Sequence, residues 1–477
     1  MSGGAFAVLG GAHTPLQAAV LAIIGGTIPL TANHPAWAAV PIVLVDLSLA
    51  DDRVPGLGMS LRLFVTLIAT ACAGMALVRL PSPLRALGEG PARTVLIPAL
   101  LFVGVATVVN LLFSEISFVV KYLRYQVVLL TTLALVILLV RDRRALKIAA
   151  TAVFLMAILS SFAAIGQRIG GPLALYAGVP PDAVAAFGER VFGLSGSPVT
   201  LANNLVSVVV PALGFLAVAW SHRLRARLPL LAGTVVILVG VYLTTTRSAL
   251  MAIGVGAVVI MAAADPHRRL AISGLMVAIA LLFITALGVG LIDQRFLEGA
   301  EEDKSAASHV AIMQVALAVA LDNMVLGIGR EHFEQVSQAY ASEVDVGGGL
   351  RAQQSGQGAV GTLRPHNDFL EVWSSWGSFG LAAYIAVFLG TLQNFLIARR
   401  SEDALVRGLA VGGAAGLIAY AVNSTFHNYL DSSVILWCYA GLSAALAWMP
   451  AGRTVRLTAL RRRPLPSTIR PATAATV

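Results

Sequence analysis

The chain has 477 residues, of which 57% are hydrophobic and 12% are charged, and its mean hydropathy is +0.83. Soluble globular domains average about 45–50% apolar and about 25% charged residues, so this composition excludes a string of soluble domains and indicates a polytopic membrane protein. The net charge of +9 lies mostly in short loops between apolar segments, and this distribution argues against nucleic acid as a partner. The two cysteines, Cys72 and Cys438, each lie inside an apolar segment and are interpreted as core residues.

Apolar segments long enough to cross a bilayer recur along the whole chain. The first two are short and separated by the Pro-containing sequence TANHP, so they form either two spans or one irregular unit, and 12 or 13 spans are predicted. The predicted spans are 16–31, 35–50, 60–80, 94–113, 118–140, 145–166, 199–220, 229–246, 247–264, 270–291, 377–398, 406–424 and 433–449.

The predicted fold is therefore an all-α polytopic bundle with about 12–13 transmembrane helices. Residues 1–291 contain the first ten spans and a polar loop at about 167–198, and residues 292–376 form one large loop. Residues 377–449 contain the C-terminal spans, and residues 450–477 form a basic tail. Within the large loop, Val310–Leu321 is apolar but too short to span, and we expect it to be a helix packed on the outer face of the bundle.

Most Lys and Arg residues fall on one side of the membrane if the spans alternate in direction. By the positive-inside rule this side is cytoplasmic, which places the C-terminus in the cytoplasm and both long loops outside. No Lys or Arg precedes Arg53, so the N-terminus lacks the basic region of a secretory signal peptide.

Two basic residues lie inside a predicted span. Lys121 and Arg124 are about one turn apart near the outer end of the span 118–140, and they share a helix face. A charge at membrane depth costs at least about 2.5–3.5 kcal/mol, so these side chains either face a substrate cavity or snorkel to the interface.

Further arginines are predicted on the outer side, where the positive-inside rule disfavours them. Arg247 lies in TTTRSAL at a tight outer turn, and Arg190, Arg295, Arg330 and Arg364 complete the set. Guanidinium groups bind phosphates through paired hydrogen bonds, so a cluster of arginines at the outer membrane surface suits the binding of a pyrophosphate. For Arg295 and the loop residue Arg351, simple solvation is the preferred interpretation.

The sequence RPHND, from Arg364 to Asp368, enters the span that follows the large loop. His366 has a side chain that titrates near neutrality, so it can accept a proton from a sugar hydroxyl or hold that hydroxyl in place. Arg364, Asn367 and Asp368 supply polar neighbours, although Asn367 and Asp368 are equally explained as N-cap residues. We treat this stretch as the candidate reactive site.

Four segments, in order, resemble the O-antigen ligase and polymerase family, whose bacterial inner-membrane members transfer glycans from undecaprenyl pyrophosphate. PHNDFLEVWSSWGSFGLAAY is similar to the family's HN-x-x-L…G-x-x-G stretch, and RVFGLSGSP with the following LANNL is similar to R-x-x-G…P-N-x-L-A. TTTRSAL resembles the S-R-G/S-A turn, and DNMVLGIGREHF resembles D-N-P-L-x-G-x-G-x-x-x-F. The resemblance is clear over roughly residues 190–390.

The resemblance implies roles for three residues. His366 would activate or position the acceptor hydroxyl, and Arg190 and Arg247 would contact the donor pyrophosphate. The chain departs from the family at His309, where an arginine is common, and at Val325, where proline is common. A phosphate contact is therefore either missing or supplied by Arg295 or Arg330.

The predicted function is transfer of polysaccharide from an undecaprenyl-pyrophosphate-linked donor to a lipid A core sugar, at the periplasmic face of the inner membrane. The alternative within the family is a polymerase that extends a growing lipid-linked O-antigen or exopolysaccharide, and the alternative from another class is a lipid or solute transporter. No cofactor is expected. The histidines show no ligand spacing and no D-x-D motif occurs, so a metal-independent enzyme is predicted, with membrane lipids as its other partners.

Two further groups have structural interpretations. The residues Trp373, Trp376, Trp437 and Trp448 lie near span ends and are interpreted as an interfacial aromatic belt, with sugar stacking as the alternative. A predicted outer turn holds His427, Asn428 and Asp431, which either cap a hairpin or line the site.

Overall fold

The computed structural model is all-α over the part of the chain that it describes, as predicted. It describes residues 61–77, 87–171, 190–222, 224–263, 304–343, 364–430 and 433–461, with isolated residues between 22 and 41. Two short 3₁₀ turns, Pro29–Ala32 and Pro35–Ala38, precede the first long helix. The predicted span 270–291 lies outside the described residues.

Twelve long helices occur in the described ranges. They are α1 (Leu61–Leu77), α2 (Gly90–Phe113), α3 (Ile116–Leu139), α4 (Arg143–Gly170), α5 (Pro198–Ser221), α6 (Arg227–Leu243), α7 (Arg247–Ala263), α8 (Lys304–Asp322), α9 (Arg330–Glu343), α10 (Asp368–Ala398), α11 (Ala404–Ser424) and α12 (Ile435–Arg461).

Six of these helices are long and apolar enough to cross a membrane: α2, α3, α4, α5, α10 and α11. Shorter apolar segments are α6, α7, Val310–Asp322 of α8 and Ile435–Met449 of α12. The protein is therefore an all-α polytopic membrane protein. The total of 12 or 13 spans stays a prediction, because five predicted spans fall wholly or partly outside the described residues.

The described helices pack around two large apolar cores, with a smaller apolar cluster between α8 and α9. One core joins α2, α3, α10, α11 and α12, and the other joins α4, α5, α6 and α7 with residues of α11. Helix α11 belongs to both because its small residues let α5 approach it at backbone distance. A Cβ added at Gly214 of α5 would collide with the Gly412 backbone of α11, and such close approach of small residues is a common way for membrane helices to associate.

Helix α10 is sharply bent. Trp376 and Gly377 have non-helical backbone angles, and Gly377 has φ of +63°. The sequence predicts a span from residue 377, and the second part of the helix starts at this point. The first part begins earlier, at Asp368, because Asn367 caps it: its Oδ1 accepts hydrogen bonds from the Phe369 and Leu370 N–H groups at 3.0 and 3.1 Å.

The segment between α8 and α9 fills this bend. The Ile328 and Gly329 N–H groups donate to the Ser374 and Ser375 carbonyls at 3.1 and 2.9 Å, and Ser378 N–H donates to the Met324 carbonyl at 2.7 Å. These bonds satisfy backbone groups that the bend releases from the helical pattern. Helix α8 packs on α10, and its apolar part, Val310–Asp322, is shorter than a membrane span; its place on the outer face stays a prediction.

Candidate functional site

The loop that carries Arg190 is anchored to the end of α4 by one glutamine. Gln167 Oε1 accepts hydrogen bonds from the Phe192 and Gly193 N–H groups at 3.0 and 2.8 Å, and its Nε2 donates to the Gly193 carbonyl at 2.9 Å. Gln167 is almost completely buried. An amide that satisfies three backbone groups in this way fixes the loop, and with it the position of Arg190.

Arg190 reaches the turn between α6 and α7. Its Nε donates to the Thr244 carbonyl and its Nη2 to Thr246 Oγ1, both at 3.1 Å. The turn is tight, since Thr245 has a φ of +52°, and Arg247 follows it as the half-buried first residue of α7. The structure thus brings together the two arginines that the sequence predicts to bind the donor.

The Arg190 guanidinium is partly desolvated. Burial lowers the pKa of Arg190 below the usual arginine value, because a buried cation lacks the stabilisation that water gives it. The hydrogen bonds to Thr244 and Thr246 use two of its five N–H donors. An anion bound at this position would stabilise the charge that burial disfavours.

The turn between α11 and α12 links the arginines to the start of α10. Ser248, next to Arg247, has its Oγ 2.9 Å from His427 Nε2, and the His427 ring lies 5.7 Å from the Tyr429 ring. The Tyr429 and Leu430 N–H groups donate to Asp368 Oδ1 at 2.8 and 3.1 Å. His427 therefore connects the start of α7 with the start of α10, through Ser248 on one side and Tyr429 on the other. Asp431 lies outside the described residues.

Tyr429 remains a neutral phenol under ordinary conditions. Burial raises the pKa of Tyr429 well above its usual value. Its hydroxyl accepts a hydrogen bond from Asn423 Nδ2 at 3.0 Å, and the same amide lies 3.2 Å from Asn203 Oδ1. The LANNL segment of α5 is thereby tied to the same end of the bundle.

His366 lies in the turn immediately before α10. Its φ is +41°, a left-handed conformation that is uncommon for a residue other than glycine. Pro365 on one side is buried and His366 is half-buried, whereas Arg364 is exposed. Backbone strain of this kind persists only where the surroundings fix it, and here the Asn367 cap and the buried Asp368 do so.

Asp368 and Arg330 face the protein interior. The Asp368 side chain is fully buried, and Arg330 Nη2 forms an ion pair of 2.8 Å with Glu371 Oε1. Both side chains of the pair are at most 9% exposed. Arg330 therefore meets a carboxylate of α10, which favours a role in holding the reactive turn over direct contact with the donor.

The pair lies among buried polar and aromatic groups. Asn110 Oδ1, at the end of α2, accepts from the Arg330 N–H at 3.2 Å and from Trp376 Nε1 at 3.3 Å. The Arg330 guanidinium lies 5.9 Å from the centre of the Tyr122 ring, within range of a cation–π interaction. Glu371 is paired with this guanidinium, and the Asp368 carboxyl group interacts with it electrostatically.

The remaining candidate residues are placed as follows. Lys121 and Arg124 are both exposed on the first turns of α3, whereas Tyr122 between them points into the interior. This placement fits snorkelling as well as contact with a substrate at the membrane surface. Arg295 and Arg351 lie outside the described residues, and so does the side chain of His309.

The interpretation of the four tryptophans as an interfacial belt is wrong for two of them. Trp376 and Trp437 are 0% and 2% exposed. Phe102 lies against both rings, at 5.4 and 6.2 Å between ring centres. Position near a span end does not separate these rings from Trp448, which is 40% exposed, because packing between helices decides their burial.

Residues 232–385 match the family model described as O-antigen ligase. The chain carries an O-antigen ligase domain. Three of the four resembling segments lie within it, and Arg190, which precedes it, is hydrogen-bonded to its Thr244. No curated protein matches the chain.

This match supports a function of the ligase or polymerase type and implies lipid-linked glycans as substrates. The match favours this class over a transporter. Among the residues that the structure describes, no group of three or more His, Cys, Asp or Glu side chains is arranged to hold a metal ion.

Several residues of the O-antigen ligase domain and its surroundings are absent from the sequence prediction. Gln167, Asn110, Tyr122, Ser248 and Tyr429 all position the candidate site, yet none stands out in the sequence. A polar residue within an apolar span was the available signal for Asn110, because burying an amide requires specific partners; Gln167 falls in the predicted polar loop and carried no such signal.

Proposed function

We propose that this protein transfers a glycan from undecaprenyl pyrophosphate to a sugar of the lipid A core, at the periplasmic face of the bacterial inner membrane. The observation that carries the proposal is the continuous set of contacts from Arg190 through the Thr244–Ser248 turn and His427 to Tyr429, Asp368 and the His366 turn. Residues suited to an anionic donor and a residue suited to an acceptor hydroxyl are thereby held at one end of one bundle.

In the proposed reaction, the acceptor hydroxyl oxygen attacks the anomeric carbon of the donor glycan. The new bond is the glycosidic C–O bond, and the bond that breaks joins the anomeric carbon to the pyrophosphate oxygen, which keeps the electron pair. His366 orients the hydroxyl and takes up its proton, while Arg190 and Arg247 stabilise the charge that develops on the pyrophosphate. Direct displacement would invert the anomeric configuration.

The contacts of the other candidates refine these roles. Asn367 and Asp368 hold the turn through the helix cap and the Tyr429 backbone, and Arg330 holds it through Glu371. These residues are proposed to position His366. Arg364, Lys121 and Arg124 are exposed at the same end and are proposed to attract the anionic donor to the membrane surface.

The test uses purified full-length protein, a defined undecaprenyl-pyrophosphate-linked glycan and two acceptor conditions. With lipid A core present, a ligase produces glycan-modified lipid A core and releases undecaprenyl pyrophosphate. With no second acceptor, elongation of the lipid-linked glycan would instead identify a polymerase. Absence of both products from protein that elutes as a single folded species would contradict the transferase proposal.

Metal independence is part of the same proposal. The reaction is run with EDTA and again with added Mg²⁺ or Mn²⁺. Equal rates are expected, because phosphate charge is stabilised by guanidinium groups in this scheme. A rate that falls with EDTA and returns with one cation would show that a metal ion takes part.

A further inference from the structure

A large apolar cavity lies away from the candidate site, between the two cores. Its volume is about 620 Å³, within the range of ligand-binding cavities, and residues of α3, α4, α5, α6, α11 and α12 line it. Its walls are almost entirely hydrocarbon. One of its few polar groups, the Tyr439 hydroxyl, already donates to the Ser207 carbonyl at 2.7 Å. Such walls suit an alkyl chain and do not suit a sugar or a pyrophosphate.

The cavity has a basic edge at the end of the bundle opposite His366. Lys147, on the second turn of α4, is exposed and lines the cavity. Arg225 is exposed beside Ala226, which also lines it. Within the described residues, neither Lys147 nor Arg225 forms an ion pair, whereas Asp403 at this end is paired with Arg143 at 3.3 Å.

We propose that this cavity holds an acyl chain of an anionic phospholipid whose phosphate lies against Lys147 and Arg225. Basic pockets between membrane helices recognise anionic head groups, and a long lysine side chain can pack along the apolar wall while its ammonium group stays at the surface. The polyprenyl donor is not the expected occupant, since the arginines suited to its pyrophosphate are at the other end. This inference is independent of the proposed reaction.

The experiment measures lipid binding to the purified full-length protein by native mass spectrometry. Phosphatidylglycerol and phosphatidylethanolamine with identical acyl chains are compared, so that only the head-group charge differs. The wild-type protein is expected to prefer phosphatidylglycerol. Removing both charges, in Lys147→Gln with Arg225→Gln, is expected to weaken phosphatidylglycerol binding by roughly fivefold per charge and to leave phosphatidylethanolamine binding unchanged.

The matched control is Arg168→Gln, which removes one positive charge from the other end of the same helix α4 and should change neither affinity. A second variant, Ala150→Phe, places a ring in the cavity and should reduce the binding of both lipids. If this variant does not fold, the proposal is tested by the effect of Lys147→Gln with Arg225→Gln on phosphatidylglycerol binding alone.

Three results would overturn the proposal. One is equal affinity of the wild-type protein for the two lipids. Another is unchanged phosphatidylglycerol binding in folded Ala150→Phe, which would show that the chain lies elsewhere or that another part of the protein fills the cavity. The third is displacement of phosphatidylglycerol by undecaprenyl phosphate with no effect of the Lys147 and Arg225 substitutions, which would assign the cavity to a polyprenyl chain.

Discussion

Arg330 Nη2 and Glu371 Oε1 lie 2.8 Å apart in a buried ion pair between the first residue of α9 and the first turn of α10. The pair connects the segment that fills the bend of α10 to the turn that carries His366. An arginine that sequence reasoning assigns to a phosphate is thus used inside the protein.

Replacing one residue of this ion pair should lower the free energy of unfolding more than replacing both residues together. Arg330→Met or Glu371→Leu leaves one buried charge without its partner, which typically destabilises a protein by about 3–5 kcal/mol. The double substitution should cost clearly less than the sum of the two. Unfolding of the purified variants in detergent, arranged as a double-mutant cycle, measures the difference. Additive costs would show that the two side chains do not stabilise each other.

The His366→Asn variant is expected to fold normally but to transfer glycan much more slowly. Asparagine adopts positive φ more readily than most residues, so His366→Asn should fold normally while losing about 10²–10⁴-fold in transfer rate, the usual contribution of a general base. His366→Val should in addition be less stable, because a β-branched side chain is strained at a φ of +41°. Thermal unfolding and the transfer assay are run on both variants. Normal transfer by folded His366→Asn would contradict the assigned role.

Arg190→Lys should keep the positive charge but lose the hydrogen-bond geometry of the guanidinium group. A lysine ammonium cannot donate simultaneously in the pattern that Nε and Nη2 make to Thr244 and Thr246. We expect a fall of about 10²–10³-fold in kcat/KM for the donor, comparable to losing one preorganised donor to a transition-state oxyanion. Arg400→Gln, an exposed charge at the opposite end, serves as the control. Equal activity of Arg190→Lys and the wild type would show that Arg190 contributes only charge.

Gly377→Ala should disrupt the bend of α10. A Cβ at this position would collide with the Val325 carbonyl. In addition, the φ of +63° is unfavourable for any residue that has a Cβ, and this backbone strain alone costs about 1–2 kcal/mol. Gly254→Ala in α7 is the control, because no atom lies within 4 Å of an added Cβ there. It should stabilise the helix by about 0.5–1 kcal/mol. Thermal unfolding of the two variants should therefore shift in opposite directions.

Hydropathy predicts where most helices lie, because a bilayer-spanning helix must be apolar over most of its length. It does not predict the bend at Trp376, since that conformation depends on the backbone of Ile328 and Gly329, far earlier in the chain. The positive-inside rule predicts that Arg190, Arg247 and Arg330 all lie on the outer side, and the structure brings Arg190 to the turn that precedes Arg247. The rule does not predict that Arg330 is buried, because its burial depends on Glu371 in another helix.

The backbone contact between Gly214 and Gly412 leaves no room for a side chain at either position. A Cβ on either glycine would collide with the backbone of the facing helix, so any larger residue would push α5 and α11 apart. Because α11 contributes residues to both apolar cores, this one contact sets how closely the two cores lie together.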